Sequence, residues 1–143
     1  MKIDIREAKS DDASEIAKLL DQLGYPFSIT EATLRMKLYT QPTYQLLIAK
    51  KEDVIVGFIA LHIYNELQLS GPVGRITSFC VNENNRGTGI GTLLLNEAED
   101  YFKANGCFKI EVTSNLRRTI THQYYLHQGF KETSKHFVKI IDP

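Results

Sequence analysis

Of 143 residues only two are cysteine, acidic and basic side chains cancel at 17 each, and nowhere do about 18 apolar residues run together. Each shortage excludes something. Cys80 and Cys107 are too few for a disulfide framework, and both stand in apolar stretches, FCV and CFKI, where cysteine serves as a small hydrophobe in a reducing compartment. A formal charge of zero gives no broad positive field, so neither nucleic acid nor a membrane surface is expected as a partner, although a local basic pocket is compatible with it. The opening MKIDIREAKSDD contains no apolar signal-peptide core, and the expected location is cytoplasmic. The histidines, His62, His122, His127 and His136, lack metal-ligand spacing, so no metal is expected. Nor is there a G-x-S-x-G elbow for a nucleophilic serine.

What is present is 43% hydrophobic and 24% charged residues, the profile of one globular domain over residues 1–143. A chain of this size can bury about 68–70% of its unfolded surface and needs no staple. Ile3 and Ile5 alternate with polar residues over Lys2 to Arg6, predicting a strand. Ser10 then opens a helical spacing of Ile16, Leu19, Leu20 and Leu23 that stops at Gly24. After an aromatic loop, Tyr25-Pro26-Phe27-Ser28, Thr30 can cap a second helix carrying Leu34 and Leu38. Tyr44 to Ala49 and Val54 to Tyr64 read as a hairpin, Val73 to Val81 as a further strand, and Ile90, Leu94, Ala98, Tyr101 and Phe102 as the stripe of an amphipathic helix ending at Gly106. Phe108 to Thr113 predicts a strand, Thr119 to Gln128 a helix, and Phe130 to Ile141 a final strand pair. The order β-α-α-β-β-β-α-β-α-β-β describes an α/β domain with one parallel strand pair.

Between strand and helix lies Arg86-Gly87-Thr88-Gly89-Ile90-Gly91. Glycines at a helix start let backbone N–H groups approach an anion, and Arg86 adds a charge at the mouth. The run lacks the GK[ST] of a P-loop and the downstream acidic residue of a dinucleotide fold. A glycine-rich turn with no ligand is the plain alternative.

Arg86-x-x-Gly89-x-Gly91 after Phe79-Cys80-Val81, followed by SNLRRTITHQYYLHQGF at 114–130, closely resembles the GCN5-related N-acetyltransferase superfamily, over most of the chain. The resemblance implies a mixed, mostly antiparallel sheet flanked by helices, with a central splayed parallel strand pair. It also implies acetyl-CoA as cosubstrate: its pyrophosphate on the amides of residues 86–91, its pantetheine arm paired with Phe79, Cys80 and Val81, and its thioester carbonyl polarised by a backbone N–H near Cys80 and Val81. Tyr125, four residues before Gly129-Phe130, occupies the Y-x-x-x-G-F position of the tyrosine that protonates the departing thiolate. A phenol can do this and stays protonated at neutral pH, although core packing would also explain an aromatic there. Tyr124 is read as packing.

Several positions depart from the family pattern. Many relatives carry glutamate where Ser78 aligns, or a carboxylate where Thr113 stands, and neither residue can be a carboxylate base. Relay through water is the expectation, with Glu111, His62, Glu66 and His122 as the remaining candidates. Much of the superfamily has asparagine where this chain has Arg118. The Arg118 and His122 pair instead resembles an R-x-x-A-H-x-F-Y subgroup of small-molecule acetyltransferases, with Arg118 reaching cofactor or substrate, or standing solvated at the helix start. The layout LHIYNELQLSGPVGRITSFCV is distantly similar to aminoalkylphosphonate and aminoglycoside-type acetyltransferases.

The expected activity is therefore acetyl transfer from acetyl-CoA to a primary amine of a small molecule. That amine should sit among Tyr25, Phe27, Glu31, His62, Tyr64 and the 132–137 turn. The alternatives are acetylation of protein or peptide amino groups, which needs an open groove beside residues 22–35, and a CoA-binding regulatory module without turnover, which the missing carboxylate at Ser78 permits. A homodimer is common in the family, and no feature of the sequence settles it.

Overall fold

The computed structural model describes residues 2–113 and 119–141, in two compact units, 1–112 and 113–143. In the first unit, β1 (Ile3–Glu7), α1 (Ala13–Leu23), α2 (Ile29–Leu38), β2 (Tyr44–Lys51), β3 (Val54–Tyr64), β4 (Val73–Val81), α3 (Ile90–Ala104) and β5 (Lys109–Val112) follow in that order. The sheet runs β1-β2-β3-β4-β5; every pairing is antiparallel except β4 with β5, which is parallel. None of the described helices is long and apolar enough to cross a membrane.

Local chemistry explains most boundaries. A short 3-10 turn at Ser10–Asp12 leads into α1, which ends where Gly24 turns left-handed at φ 105°. The second helix begins earlier than the Thr30 cap predicts. Ser28 accepts from the Glu31 N–H at 3.1 Å while the Glu31 carboxylate accepts from the Ser28 N–H at 3.1 Å, a reciprocal pair that places Thr30 inside α2. Glu52 and Asp53, with φ of 50° and 69°, form the two-residue turn between β2 and β3, where a positive φ matches the strand twist.

The sheet has a core on each face. Leu46, Ile48, Phe58, Ala60 and Cys80 pack against Ala13, Ile16 and Leu19 of α1 and Met36 of α2. The Cys80 thiol donates to the Leu19 carbonyl at 3.4 Å, so this cysteine belongs to the core, as its apolar setting predicts. On the other face α3 lays Leu94 beside Gly57 and Phe102 beside Gly74, and Ile90, Leu94, Ala98 and Phe102 are buried as the stripe requires. At the rim, Arg6 donates two bonds to Asp12, of 2.8 and 2.9 Å, and the Lys9 N–H donates a third at 2.7 Å, tying β1 to the start of α1.

In the second unit, α4 (Thr119–His127) ends at Gly129, φ 93°, and the Phe130 N–H returns to the Tyr125 carbonyl at 3.0 Å. The expected strand pair over Phe130 to Ile141 is not formed: the described residues of that segment carry no strand, and Phe137, Val138, Ile140 and Ile141 are exposed. An apolar spacing proposes a strand, but a strand exists only where a partner accepts its ladder, and that partner is not encoded locally.

Two stability predictions follow from this packing. A Cβ at Gly74 would lie 2.5 Å from the buried Phe102 ring, so Gly74→Ala should lose about 2 kcal/mol in urea unfolding. The Arg6 hydrogen bonds hold the Asp12 carboxyl below its ordinary value. The folded pKa is thus below the unfolded one, near 3.9, so the contribution is full above that value and disappears as pH falls through the folded pKa. Asp12→Asn should lower stability at pH 7 by about 2 kcal/mol and flatten that acid limb.

Candidate active site

β4 pairs with β5 from Val73 to Ile76, opposite Lys109 to Val112, and no β5 residue pairs with Thr77 to Val81. The described β5 ends with Val112, opposite Ile76, and its ladder with β4 stops there. On its other side β4 stays on β3, with Phe79 opposite Ile59, Cys80 opposite Phe58 and Val81 opposite Gly57. Because the Cys80 side chain is in the core, only its backbone can serve a ligand. Thr77 is the extra residue of a bulge: Ser78 faces Ala60, Ile76 faces Leu61, and Thr77 has no opposite number.

The turn after β4 is heavily cross-tied. The Asn82 N–H donates to the Val56 carbonyl at 2.7 Å, its side-chain oxygen accepts from the Asn84 N–H at 3.0 Å, and the Glu83 N–H donates to Gln22 of α1 at 3.0 Å. Arg86 Nε donates to the Val81 carbonyl at 3.1 Å, which fixes the guanidinium at the mouth of the loop and leaves its terminal nitrogens without another partner among the described residues. The Thr88 hydroxyl donates to the Asn85 carbonyl. Gly87 and Gly89 have φ of 77° and 90°, and a Cβ on either would meet nothing within 4 Å. Their glycine identity thus comes from backbone sign, and the space above them is open. Gly89 is the N-cap of α3 and offers no side-chain cap, Ile90 and Gly91 form the first turn, and that turn holds no acidic residue. An open, uncapped helix start beside a fixed arginine suits a phosphate, and these residues fit the pyrophosphate expected of them.

On the α1/α2 face of the sheet, the apolar core gives way to a polar aromatic wall. The Thr77 hydroxyl donates to the Ala60 carbonyl at 3.2 Å, so the Tyr39 hydroxyl, 2.7 Å away, donates to Thr77. The Tyr39 ring stands edge-on to Tyr44 at 5.2 Å, Tyr44 stacks on His62 at 4.1 Å, and His62 lies parallel to Tyr64 at 6.0 Å. The Tyr64 hydroxyl donates to Glu111 Oε1, and burial, reinforced by that carboxylate, pushes the phenol up to about 12. Lys109 Nζ is 3.8 Å from the other Glu111 oxygen. Arg75 sits between His62 and Glu111 in register.

Among the expected acceptor residues, Glu31 is occupied in the α2 cap, which holds its carboxyl below the ordinary range. Phe27 lies under Arg35 at 4.2 Å, and Tyr25 is exposed. Ser78 is a partly buried hydroxyl on β4. Tyr39, Tyr44 and Thr77 escaped the sequence reading. The signal for Tyr44 was its place in the hairpin with His62, but a bulge decides whether they share a face. In the second unit the Tyr125 ring packs on Phe130 at 5.4 Å and on Tyr124 at 5.8 Å, so the Y-x-x-x-G-F spacing closes one turn through Gly129. Arg118 lies outside the described residues.

Comparison with known proteins bears on the family and the fold. The family model described as acetyltransferase (GNAT) family matches residues 13–130. The aminoalkylphosphonate N-acetyltransferase of Salmonella typhimurium is 30% identical over 100 residues, which is 70% of this chain and 65% of that protein. The aminoglycoside N(6')-acetyltransferase type 1 of Acinetobacter haemolyticus is 32% identical over 75 residues, 51% of this chain and 52% of that protein. The matched regions therefore span about half to two thirds of these relatives. A crystal structure of a GNAT family acetyltransferase of Staphylococcus aureus superposes with a TM-score of 0.85 at 26% identity, covering 99% of this chain and all of that one.

The loop assignment makes a prediction that calorimetry with CoA checks. Gly91→Val, in the first turn of α3, should keep the fold and weaken CoA binding at least about tenfold, as expected if the first turn of α3 holds the pyrophosphate. Unchanged affinity in the folded variant would remove the loop from the site.

Proposed function

Since the chain belongs to the GNAT acetyltransferase family, we propose that it is an N-acetyltransferase taking acetyl from acetyl-CoA to a primary amine of a small molecule. The observation that carries this reading is the adjacency of two features on one strand: β4 runs past the end of β5 from Thr77 to Val81 and then enters an open, glycine-lined helix start. An extended amide-bearing arm followed by a pyrophosphate suits that sequence of features. Arg86 and the N–H groups of residues 86–91 would hold the pyrophosphate, and the β4 backbone over Phe79 to Val81 would pair with the arm.

Acetyl-CoA, when bound, supplies an activated thioester carbonyl. The protein's part is then positioning and charge stabilisation, with a backbone N–H near Cys80 and Val81 directed at the carbonyl oxygen. The acceptor amine belongs on the aromatic wall of His62 and Tyr64, which offers ring faces to a cationic or apolar body. The Tyr125 phenol would give its proton to the leaving sulfur; the packing of its ring on Phe130 restricts the phenol's direction. The names of the two acetyltransferase relatives favour small-molecule amines over protein amino groups.

An acetyl-CoA consumption screen over aminoalkylphosphonates, aminoglycosides, polyamines and amino-terminal peptides tests the reading; turnover of a small amine is expected. Binding of acetyl-CoA with no turnover on any class would favour a regulatory module instead. Tyr125→Phe should lower kcat by about 10²-fold with little change in acetyl-CoA affinity, and a variant with wild-type turnover where chemistry is limiting would make Tyr125 a packing residue.

A further inference from the structure

An amine that attacks a carbonyl must shed a proton, and Ser78 and Thr113, the positions where the family resemblance would place a carboxylate, cannot act as carboxylate bases. Each remaining group on the acceptor side can be judged by what its polar atoms already do. Glu111 receives the Tyr64 hydroxyl on one oxygen and faces Lys109 on the other, so it acts as a tie between β3 and β5. Glu66 accepts from Gln68 Nε2 at 3.1 Å. Glu31 caps α2. His122 belongs to α4 in the second unit.

His62 differs from these. Its Nδ1 lies 3.2 Å from the Thr43 carbonyl oxygen, which can only accept, so Nδ1 carries the hydrogen and the neutral ring presents Nε2 as a bare lone pair. The ring plane is set independently, by stacking on Tyr44 at 4.1 Å and by Tyr64 lying parallel beyond it. His62 also connects to the β4 bulge through two rings, since Tyr44 meets Tyr39 and Tyr39 bonds Thr77. We propose that His62 Nε2 is the group that takes the proton from the acceptor amine, with the Thr43 carbonyl and the Tyr44 ring as the elements that hold its tautomer and direction.

This rests on the acetyl-transfer reading above. As the amine nitrogen bonds to the acyl carbon, the carbon–sulfur bond breaks. The nitrogen's proton passes to His62 Nε2, and the sulfur takes one proton from Tyr125 or water, so one proton moves in all from nitrogen to sulfur. Among the described residues of the first unit, the ionisable groups around His62 include Tyr39 beyond α2, Tyr44 on β2, Tyr64 on β3, Arg75 on β4, and Glu111 with Lys109 on β5. Arg75 stands opposite His62 in register, and Glu111, anchored by Tyr64, stands opposite Arg75.

The first measurement is independent of turnover: imidazole 15N shifts of the wild-type protein, assigned by loss of the signal in His62→Ala. The Nδ1–H tautomer is expected for the neutral ring, and an Nε2–H tautomer would overturn the proposal. The second uses whichever amine the wild type acetylates. His62→Ala should lower kcat/KM by about 10²-fold, remove the acid-side limb of its pH profile and leave acetyl-CoA affinity unchanged by calorimetry, while added imidazole restores part of the rate. Wild-type kcat/KM in a folded His62→Ala variant, or the same loss with an unaltered pH profile and no rescue, would overturn it. A wild type that acetylates no amine defeats the acetyl-transfer reading itself, and that result is visible before any variant is made.

Discussion

Strand β4 pairs with β3 along its length and, among the described strands, with β5 only as far as Ile76. That change within one strand organises everything around it. A strand that outruns its neighbour's ladder is a template for another extended backbone. Here the length of β4 beyond the β5 ladder is followed, after the tied turn at residues 82–89, by a helix start whose N-cap Gly89 offers no side-chain cap, so a strand edge and an anion-binding helix start lie close in sequence. The buried hairpin of β2 and β3 on one side and the α3 stripe beneath keep the strand rigid enough for that use.

The sheet face that meets α1 and α2 is divided by chemistry. Toward one end it is apolar, with Ile48, Phe58 and Cys80 sealed under the helices; toward the other it carries Tyr44, His62, Tyr64, Arg75 and Glu111. Polar atoms there are paired with specific partners. Thr77 and Tyr39 satisfy one another, and Tyr64 with Glu111 ties β3 to β5 across β4. Such ties restrict the wall's rotamers and leave ring faces and one imidazole nitrogen as the chemistry on offer.

Two bulges set which residues share that face. In the β2/β3 hairpin the turn at Glu52 and Asp53 would place Tyr44 opposite Leu61; the extra residue Val56, between Lys50 opposite Ile55 and Ala49 opposite Gly57, moves the partner to His62. In β4 the extra Thr77 shifts the pairing again, bringing Arg75 opposite His62. Removing either bulge would turn alternate side chains to the opposite face of the sheet and take the wall apart.

Local patterns in the sequence determined much of this. The helix stripe of Ile90, Leu94, Ala98 and Phe102, the left-handed stop at Gly24, the span of β3 and β4, and the glycine loop with Arg86 are short-range signals, set by side-chain spacing and by backbone torsions that few residues tolerate. The Ser28 and Glu31 cap was equally local, although the Thr30 expectation passed over it. Only tertiary structure decided the rest. Where β5 stops pairing with β4, where a bulge inserts, which nitrogen of His62 finds a carbonyl, and whether the segment after Phe130 has a partner strand all depend on residues distant in the chain. No spacing along one segment records a hydrogen bond whose other half is contributed by another.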